Sequence, residues 1–512
     1  MALDLLNHEI EFAARTWPNK IAIVSPRGDL SFQQIETKAS KLAGALQFLG
    51  LSDGDRLAIL GQNSADYIVW HYAAAKVGII LHVLNTRLAI GELEWMINNA
   101  ESAALITDSD FIKQAKSLQK KCTSLRLLIG MAGEKSAEYA TDELAERNLS
   151  YQTTKVEQQN AALMIYTSGT TGRPKGALQS HGGSLLADQL TLDAVKITAN
   201  DTYLALMPFF HQAGLIRTRA TILAGGRCVI PGKVEAAATA DAICEHGVTF
   251  TMIASPQQNL AIREKLNKDG VEEFKHLRII LGGGGMGERA AKSIQSMCDS
   301  LGCSYFGVYG QTETTGPAVF ITGPDVFERP ASCGKPFPAI DIAIWNDSGI
   351  PLPSGSVGEI VVRGPITARY WRNDAANEAL YEGDWLHTGD LGYLDKEGFL
   401  YFKGRLKELI KTGAENVYPR EVEAVIEQHQ NIADVAIIGL PDKAWGEIVC
   451  AAIVTRNNKA FTLEEIKSFC RDKIGAYKIP KYVIQVDNIP RNHTGKILRQ
   501  PLIQLAESSR KS

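Results

Sequence analysis

Short apolar runs alternate with amphipathic stretches over the first 340 positions. LAIL (57–60), AALIT (103–107), AALMIYT (161–167), GRCVIP (226–231) and LRIILG (277–282) are almost wholly apolar, the pattern of strands buried on both faces. Stretches between them, such as QQIETKASKLAGALQFLG (33–50), repeat apolar residues at helical spacing. Strand–helix alternation of this kind predicts layered α/β architecture with largely parallel sheets. From about Ala331 the texture changes: Gly and Pro punctuate CGKPFPAIDIAIWNDSGIPLPSGSVGEIVVRG, which predicts a small β-rich subdomain over about 331–405. After Arg405 a compact tail follows, with ELIKTG, a helix over 419–428, strands at VAIIGL and IVCAAIV, a helix at TLEEIKSFCRDKI and a strand at YVIQV. That is an α+β pattern of ordinary domain size.

Composition narrows the class. The chain has 512 residues, beyond one ordinary core, with 45% hydrophobic and 22% charged residues, so a folded multidomain enzyme is expected. A net charge of −3 gives no global field for nucleic acid or anionic lipid. The eight cysteines are scattered without a C-x-x-C pair, which predicts reduced thiols rather than a zinc ribbon or a disulfide framework. The N-terminal segment lacks a basic region followed by an apolar one, so it does not read as a signal peptide. The most apolar stretch, 67–84, is broken by His71, Lys76 and His82 and is too polar for a spanning helix. A soluble cytoplasmic enzyme is expected.

The sharpest chemical signal is YTSGTTGRPKG (166–176), which follows an apolar strand and precedes a helical stretch. Its glycines free backbone N–H groups to turn toward an anion, its hydroxyls add donors, and Lys175 adds charge. The spacing is not that of a Walker A loop. A second glycine run, Gly282 to Gly287, formally contains G-x-G-x-x-G. A dinucleotide site needs an acid at the end of the next strand, and CSYFGVYGQTE supplies only Glu313, inside a motif of its own. Backbone approach to a flat ligand such as adenine, or tight packing, remains for these glycines.

These residues resemble the adenylate-forming superfamily, in its acyl-CoA synthetase branch, over nearly the whole chain and in order. YTSGTTGRPKG is similar to the family's phosphate loop, PFFH (208–211) to the segment bordering the acyl pocket, and GVYGQTE (307–313) to the adenine-lining segment with its magnesium-binding Glu. HTGD (387–390) resembles the ribose motif, GRLKELIKTGAENVYPREVE (404–423) the interdomain segment, and PRNHTGKILR (490–499) the loop of the catalytic lysine.

The resemblance implies a carboxylate–CoA ligase using ATP, Mg²⁺ and CoA: an acid forms acyl-AMP, then a thiol takes the acyl group. An acyl-AMP ligase loading a carrier protein is the alternative. It implies Lys496, Glu313 and Thr167 as catalytic residues, with Glu313 and Thr167 also at the metal. Nucleotide binding falls to Thr167, Ser168, Gly169, Thr170, Thr171, Gly172, Lys175, Gly283, Gly284, Val308, Tyr309, Gly310, Gln311, Thr312, Asp390, Arg405 and Lys496. Phe210, His211, Gly284, Gly285 and Met286 form the acyl pocket, Lys407 the hinge, and Gly413 and Ala414 the CoA side. Ala414 stands where many relatives have a second glycine, which slightly narrows the expected thiol tunnel. The implied organisation is an AMP-binding domain over 1–405, a hinge over 406–409 and a mobile lid over 410–512.

The chemistry suits these residue types. A carboxylate attacking the α-phosphorus brings two anions together, so positioning and charge limit the rate, and Lys496 supplies positive charge between them. Glu313 is a hard oxygen ligand suited to Mg²⁺. Amino-acid adenylation domains hold the substrate ammonium with an aspartate shortly after the aromatic segment. PFFHQAGLIRTRA contains no acid, so an uncharged fatty or aromatic acyl body is expected.

Overall fold

A computed structural model describes residues 3–167, 174–231, 235–253, 256–365, 368–413, 415–456, 461–471, 473–491 and 497–511. Two large mixed sheets, a five-stranded β-rich sheet and a five-stranded C-terminal sheet carry the chain. The apolar run 161–167 is the strand Ala161–Thr167, with the boundaries its pattern predicts. It pairs in parallel with Ile80–Val83, beside Arg56–Leu60, Ala104–Thr107 and Leu127–Gly130. In the nine-stranded sheet Thr202–Leu204, Phe250–Met252, Ile279–Gly283 and Ser304–Gln311 run parallel, and Gly316–Thr322 turns back antiparallel.

Helices cover these sheets because their sequences cap and bury cleanly. Phe32–Phe48 starts from a capping box in which Ser31 and Gln34 satisfy each other's backbone N–H. Ala65–Lys76 is buried on all sides, which is why its sequence looked nearly membrane-like. The polar residues that interrupt the 67–84 stretch are inside: Lys76 Nζ lies 2.7 Å from Glu11 and 3.0 Å from Glu36, and on the strand that follows, Ile80–Val83, His82 Nδ1 lies 2.9 Å from Ser102 Oγ. Among the described residues no helix is long and apolar enough to cross a membrane.

The small β-rich sheet is built from Asp341–Trp345, Gly358–Arg363, Tyr381–Glu382, Trp385–Leu394 and Leu400–Arg405. In the C-terminal part, Ile432–Asp442 and Gly446–Thr455 form a long hairpin. The predicted helix over 419–428 is shorter, Pro419–Ile426. A final helix, Arg499–Lys511, was not expected from the pattern; it buries Leu502 and Ala506.

One expectation needs correction. The phosphate-loop segment does not lead directly into a helix. It joins Ala161–Thr167 to an antiparallel strand, Lys175–Ser180, and only then does His181–Val195 begin. KGALQS lacks the β-branched residues that mark a strand; its pairing on both sides, to 161–167 and to Arg369–Tyr370, makes it one.

Candidate active site

Thr167 and Lys175 are register partners in the pair of strands Ala161–Thr167 and Lys175–Ser180. Ser168, Gly169, Thr170, Thr171 and Gly172 lie outside the described residues. Thr167 donates its hydroxyl to Glu313 Oε1 at 2.9 Å, and Tyr370 donates to the same oxygen at 2.8 Å. Glu313 is buried in a single 3-10 turn, Thr312–Thr314. Its carbonyl accepts from Ala368 N at 2.8 Å, and the carbonyl of Thr312 accepts from Gln179 at 3.1 Å.

Burial pushes the Tyr370 phenol above its ordinary range, and the Glu313 charge adds to this. Tyr370 therefore keeps its proton and donates. Lys175 Nζ sits 4.9 Å from the centre of the Tyr370 ring, a cation–π distance. Sequence reasoning missed Tyr370: ARYW carries no chemical signal, and its partner stands 57 positions away. The donor set fits Mg²⁺, one carboxylate and one hydroxyl, with phosphates and water for the rest. Among the described residues no group of three or more His, Cys, Asp or Glu side chains could hold a metal unaided.

The second cluster is built on two antiparallel strands in which Asp390 faces Arg405. Arg405 Nε lies 2.7 Å from Asp390 Oδ1, and Tyr309 OH donates to Oδ2 at 2.8 Å. Asp390 is buried, and its backbone N–H donates to Thr388 Oγ1 at 3.0 Å. Burial, then the Asp390 charge, raises the Tyr309 phenol well above its usual value, so this group also stays a donor. Gly389, at φ 68°, takes the left-handed conformation that turns HTGD, while Glu359 accepts from its N–H at 2.9 Å and contacts His387 Nδ1 at 2.8 Å. Gln311 reaches the Thr388 carbonyl at 3.4 Å, linking the GVYGQTE segment to the ribose motif.

The glycine wall resolves into two kinds. A side chain at Gly283 would meet nothing within 4 Å, whereas one at Gly284 would lie 2.8 Å from Cys333 Cα. Gly284 N donates to Val308 O at 3.0 Å, and Gly285 N to Ser332 O at 2.8 Å. Gly284 and Gly285 thus permit close packing on 332–333, and Gly283 leaves open space. Gly310 is needed where a side chain would lie 2.3 Å from Gly316 O. Phe210 and His211 have ring centres 4.7 Å apart, and His211 occupies the N-cap position of Gln212–Leu223. Met286 packs on the apolar cluster containing Tyr305.

Lys407 lies in a single 3-10 turn, Leu406–Glu408. Gly413 adopts φ 65° and donates its N–H to Trp445 O at 2.7 Å. Ala414 and Lys496 lie outside the described residues.

The fold and these clusters define a class, and comparison with known proteins agrees. The AMP-binding enzyme family matches residues 10–371, and the AMP-binding enzyme C-terminal domain matches 421–496. The chain belongs to the AMP-binding enzyme family and is an AMP-forming acid–thiol ligase, with ATP, Mg²⁺ and CoA as its cofactor and co-substrates. It is 34% identical over 496 residues, 96% of each chain, to a 2-succinylbenzoate–CoA ligase of Bacillus cereus strain Q1. It is similar in structure to the o-succinylbenzoate CoA synthetase of Bacillus subtilis bound to its acyl-adenylate, with TM-score 0.83, 30% identity and coverage of 96% and 97%. A fatty acyl CoA synthetase of Mycobacterium tuberculosis matches with TM-score 0.79 and 28% identity over 99% of each chain.

Proposed function

We propose that the chain is an ATP-dependent carboxylate–CoA ligase whose acid has an aromatic body. The observation that carries this reading is that Tyr309 and Glu313 stand four positions apart on one continuous segment. One is hydrogen-bonded to Asp390 and the other to Thr167. That segment therefore links the aspartate of the ribose motif and the carboxylate suited to Mg²⁺ through one strand end and the turn that follows it.

In this reading Asp390 and Arg405 hold the ribose, while Lys175 and the loop after Thr167 hold the phosphates. Glu313 and Thr167 hold Mg²⁺, which supplies charge neutralisation at the phosphates. Lys496, from its place in PRNHTGK, is assigned the charge that lowers the repulsion between the acid's carboxylate and the α-phosphate. The acid is already ionised at neutral pH, so His211 serves as a pocket wall and not as a base. The thiol of CoA then approaches past Gly413 and Ala414, with 406–409 as hinge between 1–405 and 410–512. All eight cysteines are free thiols, six of them buried, which suits work in the reducing cytoplasm.

The aromatic body is supported by the relatives at 34% identity, which are named for an aromatic acid. The test is ATP–pyrophosphate exchange over aryl, fatty and amino acids, followed by CoA and holo-carrier protein as acceptors. Exchange with aryl acids and transfer to CoA are expected. Exchange confined to fatty acids, or transfer to the carrier alone, overturns the corresponding half of the reading.

A further inference from the structure

The segment HTGD does not lie flat in its sheet. The strands Gly358–Arg363 and Trp385–Leu394 are antiparallel, with Val361 paired to His387 and Glu359 to Leu391. Between those two pairs a single residue, Ile360, stands opposite three: Thr388, Gly389 and Asp390. Extra residues on one strand bulge out of the ladder and lose their partners there. Their backbone groups on that side then have to be satisfied by something other than the facing backbone.

Glu359 meets that need from the facing strand. Its Oε1 accepts the N–H of Gly389 at 2.9 Å, and its Oε2 lies 2.8 Å from Nδ1 of His387. A carboxylate only accepts, so Nδ1 carries a proton. Trp345 packs edge-on to the same imidazole, with ring centres 5.6 Å apart. One position along, the Ile360 carbonyl accepts the Thr388 hydroxyl at 2.6 Å, and the oxygen of that hydroxyl accepts from Asp390 N at 3.0 Å. The whole bulge is thus tied to two successive residues of one strand. Glu359 stands 30 positions from Gly389, so no local string announces the bond.

We propose that Glu359 is a positioning residue for the nucleotide: by holding the Gly389 N–H it fixes the turn that aims the Asp390 carboxylate at the ribose hydroxyls. This rests on the assignment of Asp390 to the ribose made under the proposed function. Tyr309 and Arg405 hold the two carboxylate oxygens, at 2.8 and 2.7 Å, but they do not hold the backbone that carries them. The residue before Asp390 is a glycine at φ 68°, and glycine has other conformations open to it. Without a partner on its N–H the turn has more than one way to run. A carboxylate displaced by about 1 Å loses the geometry on which selective bonding depends. The effect belongs to recognition of the two hydroxyls rather than to nucleotide binding as a whole.

The test measures Kd for Mg²⁺-ATP and for Mg²⁺-2′,3′-dideoxy-ATP by titration calorimetry, in the wild-type protein and in two variants. The wild-type protein should bind ATP about 100-fold more tightly or better, since a site built to bond hydroxyls rejects a ligand that lacks them. In Glu359→Ala that ratio should fall by about tenfold or more, nearly all of the loss being on the ATP side. Glu359→Gln keeps an acceptor for the Gly389 N–H and should hold the ratio within about threefold of wild type. Where the alanine protein does not fold, Glu359→Leu, closer in size, carries the same expectation. Equal weakening of both nucleotides in the folded variant, with the ratio unchanged, overturns the positioning role and leaves the ribose assignment standing. A ratio as low in Glu359→Gln as in Glu359→Ala also overturns it. Equal binding of both nucleotides by the wild-type protein removes the ribose assignment of Asp390, and the role of Glu359 with it.

Discussion

Tyr370 and Thr167 donate to the same oxygen of Glu313, at 2.8 and 2.9 Å. Three segments from separate parts of the chain are thereby fixed around one carboxylate, the one proposed to hold the metal. Tyr370→Phe keeps the ring under Lys175 and removes one donor. One hydrogen bond to a charged group is worth about 1.5–3 kcal/mol, so adenylation should slow by roughly 10- to 100-fold. Glu313→Ala should go further and raise the Mg²⁺ concentration for half-maximal exchange. Titrating exchange rate against Mg²⁺ in both variants checks this, and an unchanged dependence in Glu313→Ala removes that residue from the metal site.

Three buried histidines make stability fall on acidification. Burial pushes His82 down to about 3, with the Arg56 charge adding to the effect; His181 is lowered to about 4 and His71 falls well below its ordinary value. The folded state therefore resists protons that the unfolded chain binds below about pH 6.5. The stabilisation is complete above that pH and is lost as pH falls toward the folded values. His82→Gln, which leaves an amide near Ser102, should flatten the acid limb by at most about 1.4 kcal/mol per pH unit. Denaturant unfolding at pH 7, 6 and 5 measures the difference. Parallel curves for variant and wild type would show that His82 is not neutral and dry.

The legibility of this molecule varied with how local each signal was. Ala161–Thr167 appears with the boundaries its pattern predicted because an apolar run between turn-forming residues needs no tertiary information. Lys175–Ser180 was hidden because Gly and Ala in its sequence favour no strand, and pairing on both sides decides it. Motif residues such as Asp390 and Glu313 could be named from local strings, but Tyr370 could not, since only the fold brings it to Glu313. Arg219 was visible as a residue and illegible as half of a buried ion pair, because its partner Asp188 lies 31 positions away.

The role proposed for Lys496 separates two half-reactions. Lys496→Ala should abolish most exchange, since loss of one preorganised charge in a transition state costs on the order of 3 kcal/mol. Thioester formation from chemically supplied acyl-AMP should continue, because that step has no α-phosphate attack to assist. Single-turnover assays of each half-reaction read this directly. Equal loss of both would make the lysine structural.

Lys407 stands between two ion pairs made by its neighbours. On one side Arg405 is held by Asp390 at 2.7 Å; on the other Glu408 is held by Arg499 at 2.9 Å, at the start of the final helix. A rotation between the two parts that preserves both pairs has to be absorbed in the backbone between them. The proposed mechanism asks for such a rotation: in it Lys496 serves the carboxylate in the first step, and a thiol takes the acyl group in the second, through overlapping space. Hinges of this kind are a few residues whose φ and ψ take up the change. Proline holds φ near about −65° and removes an N–H donor, so Lys407→Pro should favour one arrangement over the other. Lys407 lies in the 3-10 turn Leu406–Glu408, a conformation whose φ of about −50 to −70° proline accepts, so folding should survive. Pyrophosphate exchange should persist while thioester formation falls by at least about tenfold, the equivalent of about 1.4 kcal/mol against the second arrangement. Thioester formation at the wild-type rate in a folded Lys407→Pro protein would place the pivot elsewhere or remove the need for one.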